Sequence, residues 1–221
     1  MCGITSIISF TKKDIINELF ESLYHLQHRG QDSYGISFLS NEKISLIKKK
    51  GLVENKLKID IYSNIGIGHV RYPTNGKNTI NEVQPFFLQG VYHNISIVHN
   101  GQIKKTSYLT KYLNKNNINL DKNITSDSVI LLYLLGFHLN KYKILNYNII
   151  KNIIDELYII LEGSFNCICL IEKYGIICFK DTNGIRPLIF GKNRNNYIIS
   201  SESISLDALN YNVISDIYNN E

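Results

Sequence analysis

The chain begins MCGITSIISF, residues 1–10, and the placing of one cysteine there organises the rest of the reading. Cys2 stands directly behind Met1, and Gly3 leads into an apolar run to Phe10 that reads as a buried strand. Chain termini usually fray. A reactive thiol in that place is either incidental or is wanted for the free α-amino group it would carry. Methionine removal is favoured before a small residue, and cysteine qualifies. An exposed α-amine titrates at about 7.7–8, so it can accept a proton from its own thiol and later return one to a leaving amine. Nucleophile and base then come from one residue. Read alone, the two letters leave both possibilities open.

Composition narrows the field. With 221 residues and 44% hydrophobic content, the chain can bury a core as one large domain. No apolar run reaches the roughly 18 residues that span a bilayer, and the start lacks the basic lead-in of a signal peptide. A cytoplasmic protein without membrane association is expected. The four cysteines, Cys2, Cys167, Cys169 and Cys178, do not form a disulfide framework in a chain this long. Cys167 and Cys169 fall on one face of an apolar strand and read as buried thiols, not metal ligands. The net charge of +5 is carried diffusely; Lys48–Lys50 is the one dense basic run and has no aromatic interleaving, so nucleic-acid binding is not expected.

Along the chain, Ile15, Ile16, Leu19, Phe20 and Leu23 make one helical stripe, with Gly30 placed to end that helix. Strands are expected over Tyr34–Leu39, Ile44–Lys49, Ile65–Val70 and Ile95–His99. An Asn-rich loop, 114–123, then leads into a helix from TSDSVILLYLL (125–135), capped by Thr125 or Ser126, with Asp127 in its positive first turn. A second helix over IIKNIIDELYIILEG (149–163) is closed by Gly163. The last third returns to strands in SFNCICLIE, GIICFKD, RPLIFG and NYIIS, followed by a short helix, Ser205–Asn210. Strands, two helices and strands again predict an α+β layer architecture.

Three further stretches bear on chemistry. VHNG, 98–101, ends an apolar strand at an Asn side chain and a Gly N–H that suit an oxyanion, although Asn-Gly is also an ordinary turn. GHVRYPTNG, 68–76, projects Arg71 from a strand end, and a guanidinium pairs bidentately with a carboxylate. Thr74 adds a hydroxyl. Asp127 offers the opposite charge for an ammonium group, or serves only its helix dipole.

Taken together and in order, CGI (2–4), LQHRGQDSYGI (26–36), GHVRYPTNG, VHNG, TSDS (125–128) and DTNGIRPL (181–188) resemble the class II glutamine amidotransferases. HRGQDS, HVRYPT and DTNGIRPL favour similarity to the glutaminase domain of the amidophosphoribosyltransferases, over nearly the whole chain. The resemblance implies an N-terminal-nucleophile hydrolase fold, a four-layer αββα sandwich with two antiparallel sheets. It implies glutamine hydrolysis to glutamate and ammonia in the first committed step of purine synthesis. In that frame Cys2 attacks the γ-carboxamide, and Asn100 and Gly101 form the oxyanion hole. Arg71 holds the α-carboxylate, Asp127 the α-ammonium, Thr74 belongs to a closing loop, and Arg29 and Gly30 line the pocket. DTNGIRPL is read as structural, with Arg186 in an internal ion pair, and Ser200–Glu202 likewise.

The family's second domain binds phosphoribosyl pyrophosphate, and its signature, paired acidic residues before a Gly/Thr-rich phosphate loop, is missing. IIDE (153–156) is the nearest match, but it continues a helix. Residues 1–221 are therefore read as one glutamine amidotransferase domain, a gene fragment or half of a split enzyme. No metal or organic cofactor is expected in it, Mg²⁺ belonging to the missing domain. Its partners are L-glutamine and a phosphoribosyl-pyrophosphate-binding domain or subunit, within a homo-oligomer. The alternatives are the glutaminase part of another class II member and a non-catalytic docking module.

Overall fold

The computed structural model describes residues 1–11, 14–54, 61–72, 79–121 and 126–217. Eleven strands appear in it: β1 (Gly3–Ser9), β2 (Ser33–Ser40), β3 (Lys43–Lys50), β4 (Ile65–Arg71), β5 (Phe86–Leu88), β6 (Ile95–Ile103), β7 (Gly163–Ile171), β8 (Gly175–Lys180), β9 (Ile189–Asn193), β10 (Asn196–Ser200) and β11 (Asn212–Asp216). Five helices accompany them: α1 (Ile16–His25), α2 (Thr106–Lys115), α3 (Asp127–Leu139), α4 (Tyr147–Ile160) and α5 (Ile204–Ala208). The strands form a seven-stranded sheet in the order β11-β9-β10-β1-β4-β2-β3 and a four-stranded sheet in the order β5-β6-β7-β8. Every pairing is antiparallel.

Alternation along the strands explains the layers. Ile4, Ile65, Ile67, Val98, Ile168 and Leu170 form one core between the sheets. Ile7, Val70 and Ile36 face the other way and pack against Leu19, Phe20 and Leu23 of α1 and Leu206 of α5. On the second sheet, Ile95, Ile97, Phe165, Cys167 and Cys169 face Leu131, Leu135, Ile153 and Leu157 of α3 and α4, and Leu109 and Leu113 of α2. The order is helices, sheet, sheet, helices, the four-layer α+β sandwich implied by the resemblance. The period of two also orients the chain's start. Ile4 points between the sheets, so Cys2 points there too.

Several local expectations need correction. The helix of the first stripe ends at His25 and passes into a 3₁₀ turn, Gln27–Arg29. Gly30 therefore follows the 3₁₀ turn and does not end α1; its backbone is extended, and a Cβ there would lie 2.5 Å from the Arg71 carbonyl carbon. Thr125 lies outside the described residues, and Ser126 occupies the N-cap position of α3 without a side-chain capping bond. α4 starts earlier than expected, with Asn146 accepting from Ile149 N. Gly163 opens β7 instead of closing α4. α2, β5 and β11 were not expected; each is short, and α2 sits in a polar segment whose helical pattern rests on Leu109 and Leu113.

The helix layer over β1 and β4 holds the strand ends that carry Cys2 and Arg71. Leu23, wholly buried at its centre, is expected to cost about 2–5 kcal/mol when truncated to Ala. Urea unfolding of Leu23→Ala measures this directly.

Candidate active site

A cavity of about 500 Å³ opens at the end of β1, β4 and β6 and at the start of α3. Cys2, Arg71, Gly101 and Asp127 all line it. Four residues singled out from separate stretches of sequence therefore meet at one place. Their convergence follows from register: Gly3 pairs with Val70, which sets Cys2 beside Arg71. β6 crosses opposite and runs without a turn through Asn100 and Gly101. The Asn-Gly turn allowed by the sequence is absent because both residues pair with β7, Asn100 with Asn166 and Gly101 with Phe165.

Gly101 has φ +152°, and a side chain there would collide with the Ser164 carbonyl oxygen. Only glycine fits that close approach. Asn100 is not on the cavity wall, but its amide Nδ2 is buried with no hydrogen-bond acceptor among the described residues. Buried donors are nearly always satisfied, so an unused amide beside Gly101 stands out. Asp127 keeps its carboxylate about one-quarter exposed. Its Oδ2 accepts from Ile103 N at 2.9 Å, and its Oδ1 accepts from Ser128 Oγ at 3.3 Å.

Arg71 is already paired. Nη1 donates to Asp32 Oδ2 at 2.9 Å and Nη2 to Glu82 Oε2 at 2.8 Å. Arg29 and Gly30 do not line the cavity. Arg29 is buried behind Cys2, where its Nε donates to the Cys2 carbonyl at 2.9 Å and its Nη1 pairs with Glu202. Gly30 packs on the Arg71 backbone. Both support the site from behind because the 3₁₀ turn that carries them runs along the strand ends. Thr74 lies outside the described residues.

A model of the glutamine amidotransferase domain matches residues 76–208, more than half of the chain. The chain belongs to the glutamine amidotransferase domain family. Curated relatives of this amidotransferase domain include the amidophosphoribosyltransferases of Pasteurella multocida and Escherichia coli, each 35% identical over 98% of the chain. That of Saccharomyces cerevisiae is 32% identical over the same share. The chain spans only 44–45% of these relatives' length. The Bacillus subtilis glutamine phosphoribosylpyrophosphate amidotransferase, solved with ADP and GMP, superposes with a TM-score of 0.80 at 25% identity, over 99% of this chain and 46% of that one. The structure of an allosteric regulatory enzyme of purine biosynthesis gives 0.81 at 24%, over 99% and 45%. Both place the amidotransferase domain in the N-terminal-nucleophile hydrolase fold.

Burial shapes the reactivity of the amidotransferase domain. It pushes the half-buried Cys2 thiol up, against the opposing pull of the Tyr72 backbone, the chain's amine, Arg71 and Arg186. The thiol's one hydrogen bond among the described residues is weak, 3.9 Å to the Tyr72 carbonyl. The wall residues given no role in the sequence reading include Glu82, Gln84, His99 and Ser128. His99 and Ser128 sit inside motifs that were quoted, next to residues that drew the attention. Arg186 corrects an expectation, since none of the described ion pairs involves it. Its Nε instead donates to the Ser164 carbonyl at 3.1 Å, the oxygen that abuts Gly101. The rest of DTNGIRPL is structural as read: Asp181 accepts from Phe165 N and Asn183 N, and Asn166 donates to the Pro187 carbonyl.

The thiolate, not the thiol, is alkylated, and a raised thiol leaves less of it at neutral pH. Cys2 alkylation by iodoacetamide should therefore rise with pH to a midpoint above that of an ordinary thiol. Arg186→Gln, which removes a stabilising cation, should move the midpoint higher still. Peptide mapping against pH tests both, because Cys167 and Cys169 are buried and their thiols pushed up further.

Proposed function

We propose that this chain hydrolyses the γ-carboxamide of L-glutamine to glutamate and ammonia, with Cys2 as the nucleophile once Met1 has been removed. The observation that carries the reading is the meeting of Cys2, Gly101, Arg71 and Asp127 on one cavity. Met1 is 62% exposed, which suits its removal. The freed amine of Cys2 takes the thiol proton, and the sulfur attacks the carboxamide carbon. The Asn100 amide, now without an acceptor, and the Gly101 N–H receive the negative oxygen of the tetrahedral intermediate. The protonated amine passes its proton to the leaving nitrogen, ammonia departs, and a γ-glutamyl thioester remains. Water then attacks the thioester with the same amine as base, releasing glutamate and restoring the thiol.

Substrate charge is matched at both ends. Asp127 receives the α-ammonium, and Arg71 the α-carboxylate. Since Arg71 meets Glu82 at 2.8 Å, the incoming carboxylate exchanges with Glu82 on Nη2 while the largely buried Asp32 keeps Nη1 fixed. In the whole protein, by likeness to the amidophosphoribosyltransferases, a further half binds phosphoribosyl pyrophosphate and consumes the ammonia. A cytoplasmic setting accords with four free cysteines. Among the described residues no helix is long and apolar enough to cross a membrane.

Cys2→Ala in the Met1-free chain should abolish glutamate release from glutamine; normal turnover in that variant would contradict the mechanism. Glu82→Gln should lower the KM for glutamine by about three- to tenfold, the effect of weakening one charged competitor. A raised KM would show that Glu82 assists binding.

A further inference from the structure

Behind Asp127 lies a buried polar chain that the mechanism above does not use. Gln84, His99 and Ser128 are 8%, 2% and 4% exposed and come from three segments: the residue pair preceding β5, the middle of β6 and the first turn of α3. His99 N donates to Gln84 Oε1 at 2.6 Å, which fixes the orientation of the Gln84 amide. Its Nε2 then donates to the His99 carbonyl and to Ser128 Oγ, both at 3.3 Å. Ser128 Oγ also lies 2.7 Å from His99 Nδ1 and 3.3 Å from Asp127 Oδ1.

Proton counting gives this chain a direction. An ionised carboxylate only accepts, and a serine hydroxyl has one proton. Ser128 therefore donates to Asp127, and its oxygen accepts from Gln84 Nε2 and from His99 Nδ1. His99 must then carry its proton on Nδ1. Its Nε2 is buried without a partner among the described residues, so a second proton there would be a stranded donor. Burial lowers the His99 pKa although Asp127 opposes this, which keeps the ring neutral in agreement with the geometry.

We infer that Gln84 and His99, acting through Ser128, hold the Asp127 carboxylate aimed into the cavity, so that Ser128 is the positioning residue for recognition of the substrate's ammonium group. The inference rests on the assignment of Asp127 to that ammonium. It explains why Asp127, at the start of α3, has its Oδ2 held by Ile103 N and its Oδ1 by Ser128 Oγ while the residue still lines the cavity.

Two measurements on the Met1-free chain test it. The first is a cycle of Ser128→Ala, Asp127→Asn and the double variant, with KM and kcat for glutamine and with Ser128→Thr as rescue. Ser128→Ala should raise KM about tenfold, the worth of one charge-assisted hydrogen bond, and shift kcat far less. Ser128→Thr should restore KM, and Ser128→Ala should add little in the Asp127→Asn background. An equal extra loss in that background, or a loss confined to kcat, would overturn the inference. If Asp127→Asn itself leaves KM unchanged, the assignment of Asp127 to the ammonium fails instead. The second measurement needs no variant: nitrogen-15 shifts of the His99 ring should show Nδ1 protonated and Nε2 bare, and the opposite tautomer would overturn the inference.

Discussion

The pairing of β1 with β4 is the constraint on which the site depends. Gly3 opposite Val70 puts residue 2 beside residue 71, and the alternation that buries Ile4 between the sheets turns Cys2 inward as well. A slip of one residue would send the thiol to the α1 side and every apolar residue of β1 to the wrong core. The chain's first residues are thus fixed by the same contacts that hold the two sheets together, and fraying at this terminus would expose Ile4 and Ile7 to water. β6 completes the arrangement by running straight through Asn100 and Gly101, where an ordinary hairpin would have carried both away.

The electrostatics of the cavity fit a nucleophile that needs a base of its own. Burial raises the Cys2 thiol, so the resting sulfur is protonated. Neither nearby histidine is suited to take that proton. His69 is wholly buried with a pKa lowered to about 3, and His99 is held neutral with Nδ1 committed to Ser128. An α-amine on Cys2 itself titrates near working pH and travels with the thiol. Arg71, although paired with Asp32 and Glu82, and Arg186 both favour negative charge at the sulfur, and Arg186 also reaches the Ser164 carbonyl at the Gly101 end of the cavity.

Much of this was legible in the letters. Apolar β-like runs such as Cys2–Phe10 and Ile95–His99 marked their strands, and the stripe Ile15–Ile16–Leu19–Phe20–Leu23 marked α1. Short or polar elements were not legible: α2 has few apolar positions, β5 is three residues long, and β11 keeps Val213 and Ile214 half-exposed at a sheet edge. In the site, the motifs marked residues whose chemistry is evident at once, Cys2, Arg71 and Asp127. Glu82, Gln84 and Ser128 carry no such mark, because their importance lies in which polar atoms they face across separate elements. Arg29 and Gly30 were expected on the pocket wall, but Arg29 meets the Cys2 backbone and Gly30 the Arg71 backbone instead, since which side of a strand end a 3₁₀ turn occupies is a tertiary fact.

The central claim is that the leading thiol, freed of Met1, reacts covalently with a glutamine-shaped ligand whose two head-group charges are gripped by Arg71 and Asp127. The most direct measurement is mass spectrometry of the processed chain after exposure to an alkylating glutamine analogue, with and without excess glutamine. The account predicts one adduct per chain, mapped to an N-terminal Cys2 and suppressed by glutamine. Labelling spread over Cys167, Cys169 and Cys178, or a Cys2 adduct that glutamine does not prevent, would contradict it.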